Sequence, residues 1–375
     1  MSIDVKKMPR LGFGMMRLPE IDGSIDHKAV CEMVDAYMSA GFNYFDTAYI
    51  YHGGRSETEI REAVVRRYPR SDFMLTDKLP VWMLRSEADR DRIFLEQLER
   101  CGVEYFDIVL LHSLEEGTNY DNAVKYNCFD WLRQQKDLGR AKHIGFSFHG
   151  TPELLDRILT AHPEIETVQI QLNYLDWVSP VVQASRTYAV LRKHDIPILV
   201  MEPVKGGTLA NLPENAASVL KAERPGASMA SWALRFVGSL PGVMTLLSGM
   251  STGEQMSDNL HTFVDFEPLS DAEQAAVEKV RGILVSGNTV QCTACRYCCD
   301  GCPSGINIPE VFKVLNDIRM NGINDRARGY YGNFAGHDAK AGDCLACGQC
   351  ESVCPQHLKI IDLLKEASGI LDGGA

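Results

Sequence analysis

An α/β architecture, a (β/α)8 barrel followed by a small, mainly helical domain, is the fold class this sequence predicts. Three observations lead there. Strand-like apolar runs alternate eight times with stretches of helical spacing between residues 11 and 262, close to the roughly 250 residues such a barrel usually takes. Asp46, Lys78 and His112 end three successive apolar runs, as expected where parallel strands converge on one functional face. Nine of the twelve cysteines crowd into residues 292–354, a composition shift that marks a second domain. An open doubly wound sheet is the alternative for such alternation, but no GxGxxG opens a helix after the first run.

The elements follow in order. Residues 1–10 read as a cap before the first strand, 11–15. Val30, Met33, Val34 and Met38 carry helical spacing over 27–40. Strand 43–46 precedes helix 56–68, which Ser56-Glu57 opens, and strand 72–78 precedes helix 86–101, closed by Cys101-Gly102. Strand 106–112 is followed by a polar loop, 115–127, and helix 128–138. Then come strand 141–147, helix 152–161, strand 167–172, helix 180–194 and strand 196–202. A long loop with Lys205-Gly206-Gly207 leads to helix 227–239, strand 243–248 and helix 253–262. A last helix, 270–282, packs outside, so that the barrel domain spans 1–282, a linker 283–291, and the second domain 292–375.

Composition limits the function. Hydrophobic residues at 45% of 375 supply a core, and a net charge of −12 offers no basic field for nucleic acid. The polar start gives no secretory signal, and no apolar run reaches the roughly 20 residues a membrane span needs. A cytoplasmic location follows, with the cysteines as free thiols or ligands rather than a disulfide framework. Cys31 and Cys101 read as packing residues.

Asp46, Lys78 and His112, with Tyr51 in the loop after Asp46, have a joint chemical logic. A free phenol, with a pKa near 10, is a weak proton donor at neutral pH. A neighbouring ammonium lowers that pKa, and a carboxylate keeps the ammonium charged. A histidine can orient a substrate oxygen. Singly, Asp46 reads as a helix cap, Lys78 as a surface lysine and His112 as a core histidine; together they make a general acid for carbonyl reduction.

These residues carry a resemblance. Leu11-Gly12-Phe13-Gly14, Phe45-Asp46-Thr47-Ala48, Tyr51 with Gly54 and Ser56-Glu57, Lys78, Tyr105-Phe106-Asp107 running to His112, Ile144-Gly145-Phe146-Ser147 and Gln171-Leu172-Asn173-Tyr174 resemble the aldo-keto reductases over about residues 8–282. The resemblance implies that Asp46, Tyr51, Lys78 and His112 form the catalytic tetrad, with Tyr51 as general acid. It implies a nicotinamide dinucleotide across the barrel mouth: Ser147 and Gln171 on the carboxamide, Gly14, Met15 and Asp46 along the ribose, and Met201 at the nicotinamide. Glu202, Pro203 and Val204 would follow the pyrophosphate, and Gly249, Met250, Ser251, Thr252, Gln255, Asp258 and Asn259 the adenosine end. The positions that carry a Lys and an Arg in NADPH-dependent members match the uncharged Gly249 and Gln255, which leaves NADPH or NADH as the cofactor. Tyr49, Trp82, His112 and Tyr174 would line the pocket for a small carbonyl or alcohol substrate.

The second domain opens with Cys292-x2-Cys295-x2-Cys298-x3-Cys302-Pro303, and Cys344-x2-Cys347-x2-Cys350-x3-Cys354-Pro355 repeats it. This is the bacterial ferredoxin spacing for [4Fe–4S] clusters, in which the fourth cysteine serves the other cluster. Two clusters follow: one on Cys292, Cys295, Cys298 and Cys354, the other on Cys344, Cys347, Cys350 and Cys302. Cys299 is left over. Zinc fits poorly, having no use for the third and fourth cysteines at this spacing. Helices are expected over 308–320 and 360–368, and Cys302-Pro303-x-Gly305-Ile306-x-Ile308-Pro309 resembles helical ferredoxin domains appended to redox enzymes.

The leading reading is an NAD(P)H-dependent carbonyl reductase or alcohol dehydrogenase with two [4Fe–4S] clusters for electron transfer or for docking a redox partner protein. A nicotinamide passes two electrons as hydride and a cluster passes one; a flavin normally splits the pair, and no flavin motif is present. The alternative is an electron-transfer protein that uses the barrel as a binding scaffold.

Overall fold

The structure is a computed structural model that describes residues 3–286, 289–321, 323, 325–335 and 339–372. By compactness the chain divides into two units, one of Met1–Pro203 with Ser231–Leu269, the other of Val204–Ala230 with Ser270–Ala375.

The first unit holds eight parallel strands: β1 Leu11–Gly14, β2 Tyr44–Asp46, β3 Met74–Pro80, β4 Phe106–Leu114, β5 Ala141–Phe148, β6 Thr167–Gln171, β7 Ile198–Met201 and β8 Val243–Ser248. Each pairs in parallel with the next, and β8 pairs with β1 to close the barrel. Closure buries the strands on both faces, which is why every residue of β1, β2, β6 and β8 is buried. Tyr44, Ile108, Leu110, Leu199, Met244 and Leu247 pack together with Ile3, and the Tyr44 hydroxyl pairs with Thr76 Oγ1 at 2.6 Å.

Helices return the chain between strands. Asp26 caps His27–Ser39 through Ala29 N at 3.1 Å, and Ser86 caps Glu87–Cys101 through Asp89 N at 3.1 Å. Gly102, at φ 69°, ends the latter helix in the left-handed conformation that glycine adopts freely.

Several elements differ from the sequence reading. The loop expected over 115–127 contains a helix, Thr118–Lys125. The long loop after β7 contains the helix Glu214–Glu223, which packs with Asp271–Ser286 in the second unit and joins it through an Arg224–Glu273 ion pair at 2.8 Å. That last helix runs past 282 into the stretch expected as linker; Gly287 and Asn288 of that linker lie outside the described residues. A two-stranded ribbon, Glu20–Ile21 with Ser24–Ile25, follows β1.

The rest of the second unit is helical: Ile308–Asn321, Asp325–Ala335 and Ile360–Leu371 are its longer helices. Val311, Phe312, Leu315, Ile360 and Leu364 form its apolar core. Asn316 holds the approach to the cysteine motif, pairing with both the N–H and the carbonyl of Val290 at 2.5 and 2.9 Å. No helix among the described residues is long and apolar enough to cross a membrane.

Candidate active site and cysteine centres

β2 ends at Asp46, and the chain then turns through three successive left-handed residues, His52, Gly53 and Gly54 (φ 51°, 64° and 85°), into the helix Arg55–Ile60. This turn presents Tyr51. His52 anchors it, accepting from Leu18 N–H at 3.2 Å and pairing with Glu20 at 2.9 Å. Lys78 stands on the neighbouring strand β3 and is wholly buried. Its ammonium donates to Asp46 Oδ1, to the Thr47 carbonyl at 2.7 Å and to the Tyr51 hydroxyl at 3.3 Å. Three oxygen partners suit the three protons of an ammonium.

His112 on β4 completes the group. Its ring meets Tyr51 edge-on at 5.9 Å and lies 5.1 Å from Trp82. Burial, then the Lys78 charge, pushes the His112 pKa well below the ordinary imidazole value, so the ring is neutral at neutral pH. Its Nδ1 is buried without a hydrogen-bond partner among the described residues.

Tyr51 corrects one expectation. The Lys78 ammonium was expected to lower its pKa; burial, followed by the charge of Asp46, raises it well above the ordinary phenol value. Asp46, bonded to Lys78, screens much of the cation's pull, and the half-buried ring loses hydration that a phenolate would need. The phenol therefore keeps its proton at neutral pH.

Trp82 joins His112 at the mouth. Tyr49 turns to the helix Glu87–Cys101, donating to Glu96 at 3.0 Å beneath Arg100, and so is not brought against the tetrad. Tyr174 is fully buried against Phe236, its hydroxyl without a hydrogen-bond partner among the described residues, and presents no open surface to a substrate. Ser147 Oγ accepts from Ser113 N at 2.7 Å, and Gln171 donates to the buried Asp176 at 2.7 Å. The Met15 side chain is buried, leaving its backbone, which donates to the Asp46 carbonyl at 2.9 Å. Glu202, at φ 56°, pairs with Arg17 at 3.3 Å.

At the end of β8, Gly249 lies against the Arg17 side chain, at 3.2 Å from where a Cβ would stand. Thr252 caps the helix Gly253–Val264, Gln255 accepts from Ser251 N at 2.7 Å, and Asn259 donates to Ser248 at 2.6 Å. Met250 is buried and Asp258 lies on the helix. Two buried polar atoms of these residues, His112 Nδ1 and the Tyr174 hydroxyl, lack a hydrogen-bond partner among the described residues.

Two contributors were missed by sequence reasoning. Gln169 donates to Asp46 Oδ2 at 3.0 Å, holding the carboxylate's second oxygen. Its alternation with Gln171 along β6 puts both amides on one face and was the available signal. Arg17, opposite Glu202, had no motif to mark it.

In the second unit the two cysteine motifs adopt the same backbone. Ala294 and Arg296 of the first, and Ala346 and Gly348 of the second, all have positive φ, at 51°, 67°, 51° and 79°. These left-handed turns bend each loop inward, and the short helices Tyr297–Asp300 and Gln349–Ser352 follow. Cys292, Cys295, Cys298 and Cys354 line one cavity, and Cys302, Cys344, Cys347 and Cys350 line another. Cys299 packs against the apolar core and lines neither. Four thiols per cavity, within otherwise mostly apolar walls, are the donor set an iron–sulfur cubane takes.

The model of the aldo/keto reductase family matches residues 10–281, nearly three quarters of the sequence. The chain belongs to the aldo/keto reductase family. A model of the 4Fe-4S dicluster domain matches residues 291–359. L-galactose dehydrogenase of Arabidopsis thaliana is 24% identical over 296 residues, 74% of this chain and 91% of that protein. Among solved structures, the holo form of an aldo-keto reductase from Bacillus halodurans has a TM-score of 0.61 at 23% identity, covering 73% of this chain and 92% of its own. An aldo-keto reductase from Klebsiella pneumoniae in complex with NADPH has a TM-score of 0.59 at 18% identity, covering 73% and 91%. These likenesses add the barrel fold to the family match.

Proposed function

We propose that this aldo/keto reductase interconverts a carbonyl and an alcohol using NADPH or NADH, with Tyr51 as general acid and base. The observation that carries the reading is Lys78, whose ammonium bridges Asp46 at the end of β2 and the Tyr51 hydroxyl. When bound, the nicotinamide supplies or accepts the hydride. Tyr51 donates its phenol proton to the substrate oxygen in reduction. Lys78, 3.3 Å away, stabilises the phenolate that results, and Asp46, itself held by Gln169, keeps the ammonium in place. Neutral His112 hydrogen-bonds the same oxygen and orients it. The raised Tyr51 pKa keeps the phenol protonated, favouring reduction; in the alcohol-to-carbonyl direction activity would climb as pH rises.

Ser147 and Gln171 would hold the carboxamide, and Gly14, Met15, Met201, Glu202, Pro203, Val204 and the Gly249–Asn259 segment the remainder of the dinucleotide. The domain division that accompanies this reading is a barrel over 1–282, a linker over 283–291 and a cluster domain over 292–375. There, Cys292, Cys295, Cys298 and Cys354 would bind one [4Fe–4S] cluster and Cys302, Cys344, Cys347 and Cys350 a second. Such clusters pass single electrons, and a redox partner protein is their natural correspondent. A screen of aldehydes, ketones and alcohols under anaerobic conditions, with wild type beside Tyr51→Phe, tests the proposal. Turnover lost in the variant is the expected result, and equal turnover in both would overturn it.

A further inference from the structure

Lys78 and Asp77 point to opposite faces of β3, as alternate strand residues do. Lys78 enters the tetrad; Asp77 faces the helices outside, among groups the mechanism does not use. Glu57, Asp77 and Cys101 are all essentially without solvent exposure. One polar atom from each lies within 4.8 Å of the others. Glu57 Oε2 accepts from Arg100 at 2.9 Å, Asp77 Oδ1 accepts from the Lys78 peptide N–H at 2.7 Å, and the Cys101 thiol donates to Asp77 Oδ2 at 3.8 Å. Glu57 Oε1 is enclosed with no hydrogen-bond partner among the described residues.

Two ionised carboxylates this close, served by one arginine, repel one another in a medium that screens poorly. An enclosed carboxylate oxygen without a donor is itself costly. A single proton on one carboxyl removes both problems, because a protonated acid is a donor. We propose that Glu57 and Asp77 share one proton, carried on Asp77 and donated to Glu57 Oε1, and that this neutral acid is a positioning residue for Lys78 through its peptide N–H.

The surrounding charges fit. Glu57 comes from the helix Arg55–Ile60; Arg100, Cys101 and Glu96, the last paired with Arg100, come from Glu87–Cys101; Lys78 lies beside Asp77 and Asp46 on β2. Burial raises the pKa of both carboxyls, and for Asp77 the Glu57 charge comes next. With Asp77 neutral, Arg100 balances Glu57, and Lys78 answers chiefly to Asp46. An ionised Asp77 would instead add to the negative field that makes Tyr51 harder to ionise. The inference rests on Tyr51 as the acid only in its kinetic consequence.

The test uses cluster-loaded protein at neutral pH. Infrared difference spectra between wild type and Asp77→Asn are expected to contain the deuterium-sensitive carbonyl stretch of a buried protonated carboxylic acid, present only in wild type. In kinetics, Asp77→Ala is expected to lower kcat about tenfold with KM nearly unchanged. Asp77→Asn, which keeps a donor for Glu57 and an acceptor for Lys78 N–H, should recover most of that loss with the wild-type pH profile. Absence of the acid band, or an Asp77→Asn variant as impaired as Asp77→Ala, would overturn the proposal. A stoichiometric non-iron metal lost in Cys101→Ser would do the same. The infrared result does not depend on turnover, so an inactive wild type would count against the proposed function alone.

Discussion

The Lys78 ammonium lies 3.3 Å from the Tyr51 phenol oxygen and 4.8 Å from the centre of its ring, while bonded to Asp46. The cation is thus placed to stabilise a phenolate as it forms, and its charge is already balanced before it does. Removal of the phenol hydroxyl in Tyr51→Phe is expected to cut carbonyl reduction by about 100-fold or more and to leave dinucleotide affinity nearly unchanged, as read by steady-state kinetics and by nucleotide fluorescence titration.

Lys78 is wholly buried, and its partner Asp46 nearly so. Lys78→Met leaves the carboxylate enclosed without its cation, a change worth about 3–5 kcal/mol against folding. Chemical denaturation should register that loss, and the double variant Asp46→Asn/Lys78→Met should recover part of it, since it leaves no orphaned charge.

His112 is neutral in the fold because burial and Lys78 hold its pKa down. The unfolded chain takes up this proton near the ordinary value of about 6.5; the folded chain resists to lower pH. Its stabilising contribution is therefore complete above about 6.5 and declines as pH falls below it. Thermal unfolding followed from about pH 7.5 to 5.5 should give a falling Tm, with a smaller fall for His112→Gln.

The cysteine centres make a paired prediction. Cys347→Ser and Cys354→Ser should each lower bound iron, through different clusters, whereas Cys299→Ser should retain the wild-type content. Iron assay and the broad absorbance near 400 nm distinguish them; wild-type iron in Cys347→Ser would remove that residue from the ligand set.

Hydride carries two electrons and a cubane accepts one. Anaerobic addition of NADH or NADPH to cluster-loaded protein is therefore expected to leave the cluster absorbance unbleached while a test aldehyde is turned over. Bleaching would reveal an electron splitter within the protein.

Much of this was legible from residue order. Asp46 ends β2 as the sequence reading has it, whereas β3 and β4 run two residues past Lys78 and His112, to Pro80 and Leu114; cysteine spacing by itself sorts eight thiols into two sets of four, the same sets that line the two cavities. Strand pairing needs no side-chain detail to be anticipated, since eight alternating units have few ways to bury both faces of a parallel sheet.

Other features were decided only when distant segments met. Gln169 reaches Asp46 across 123 residues of sequence, and Glu57 faces Asp77 from a different element; neither pairing leaves a trace in local pattern. The direction of the Tyr51 pKa also depended on tertiary structure, because burial and the balance between Asp46 and Lys78 are properties of the packed site. Sequence by itself determined which groups could do the chemistry and where each strand would deliver them. Folding decided how far each was desolvated, and so whether the phenol, the imidazole and the carboxyls hold or release their protons.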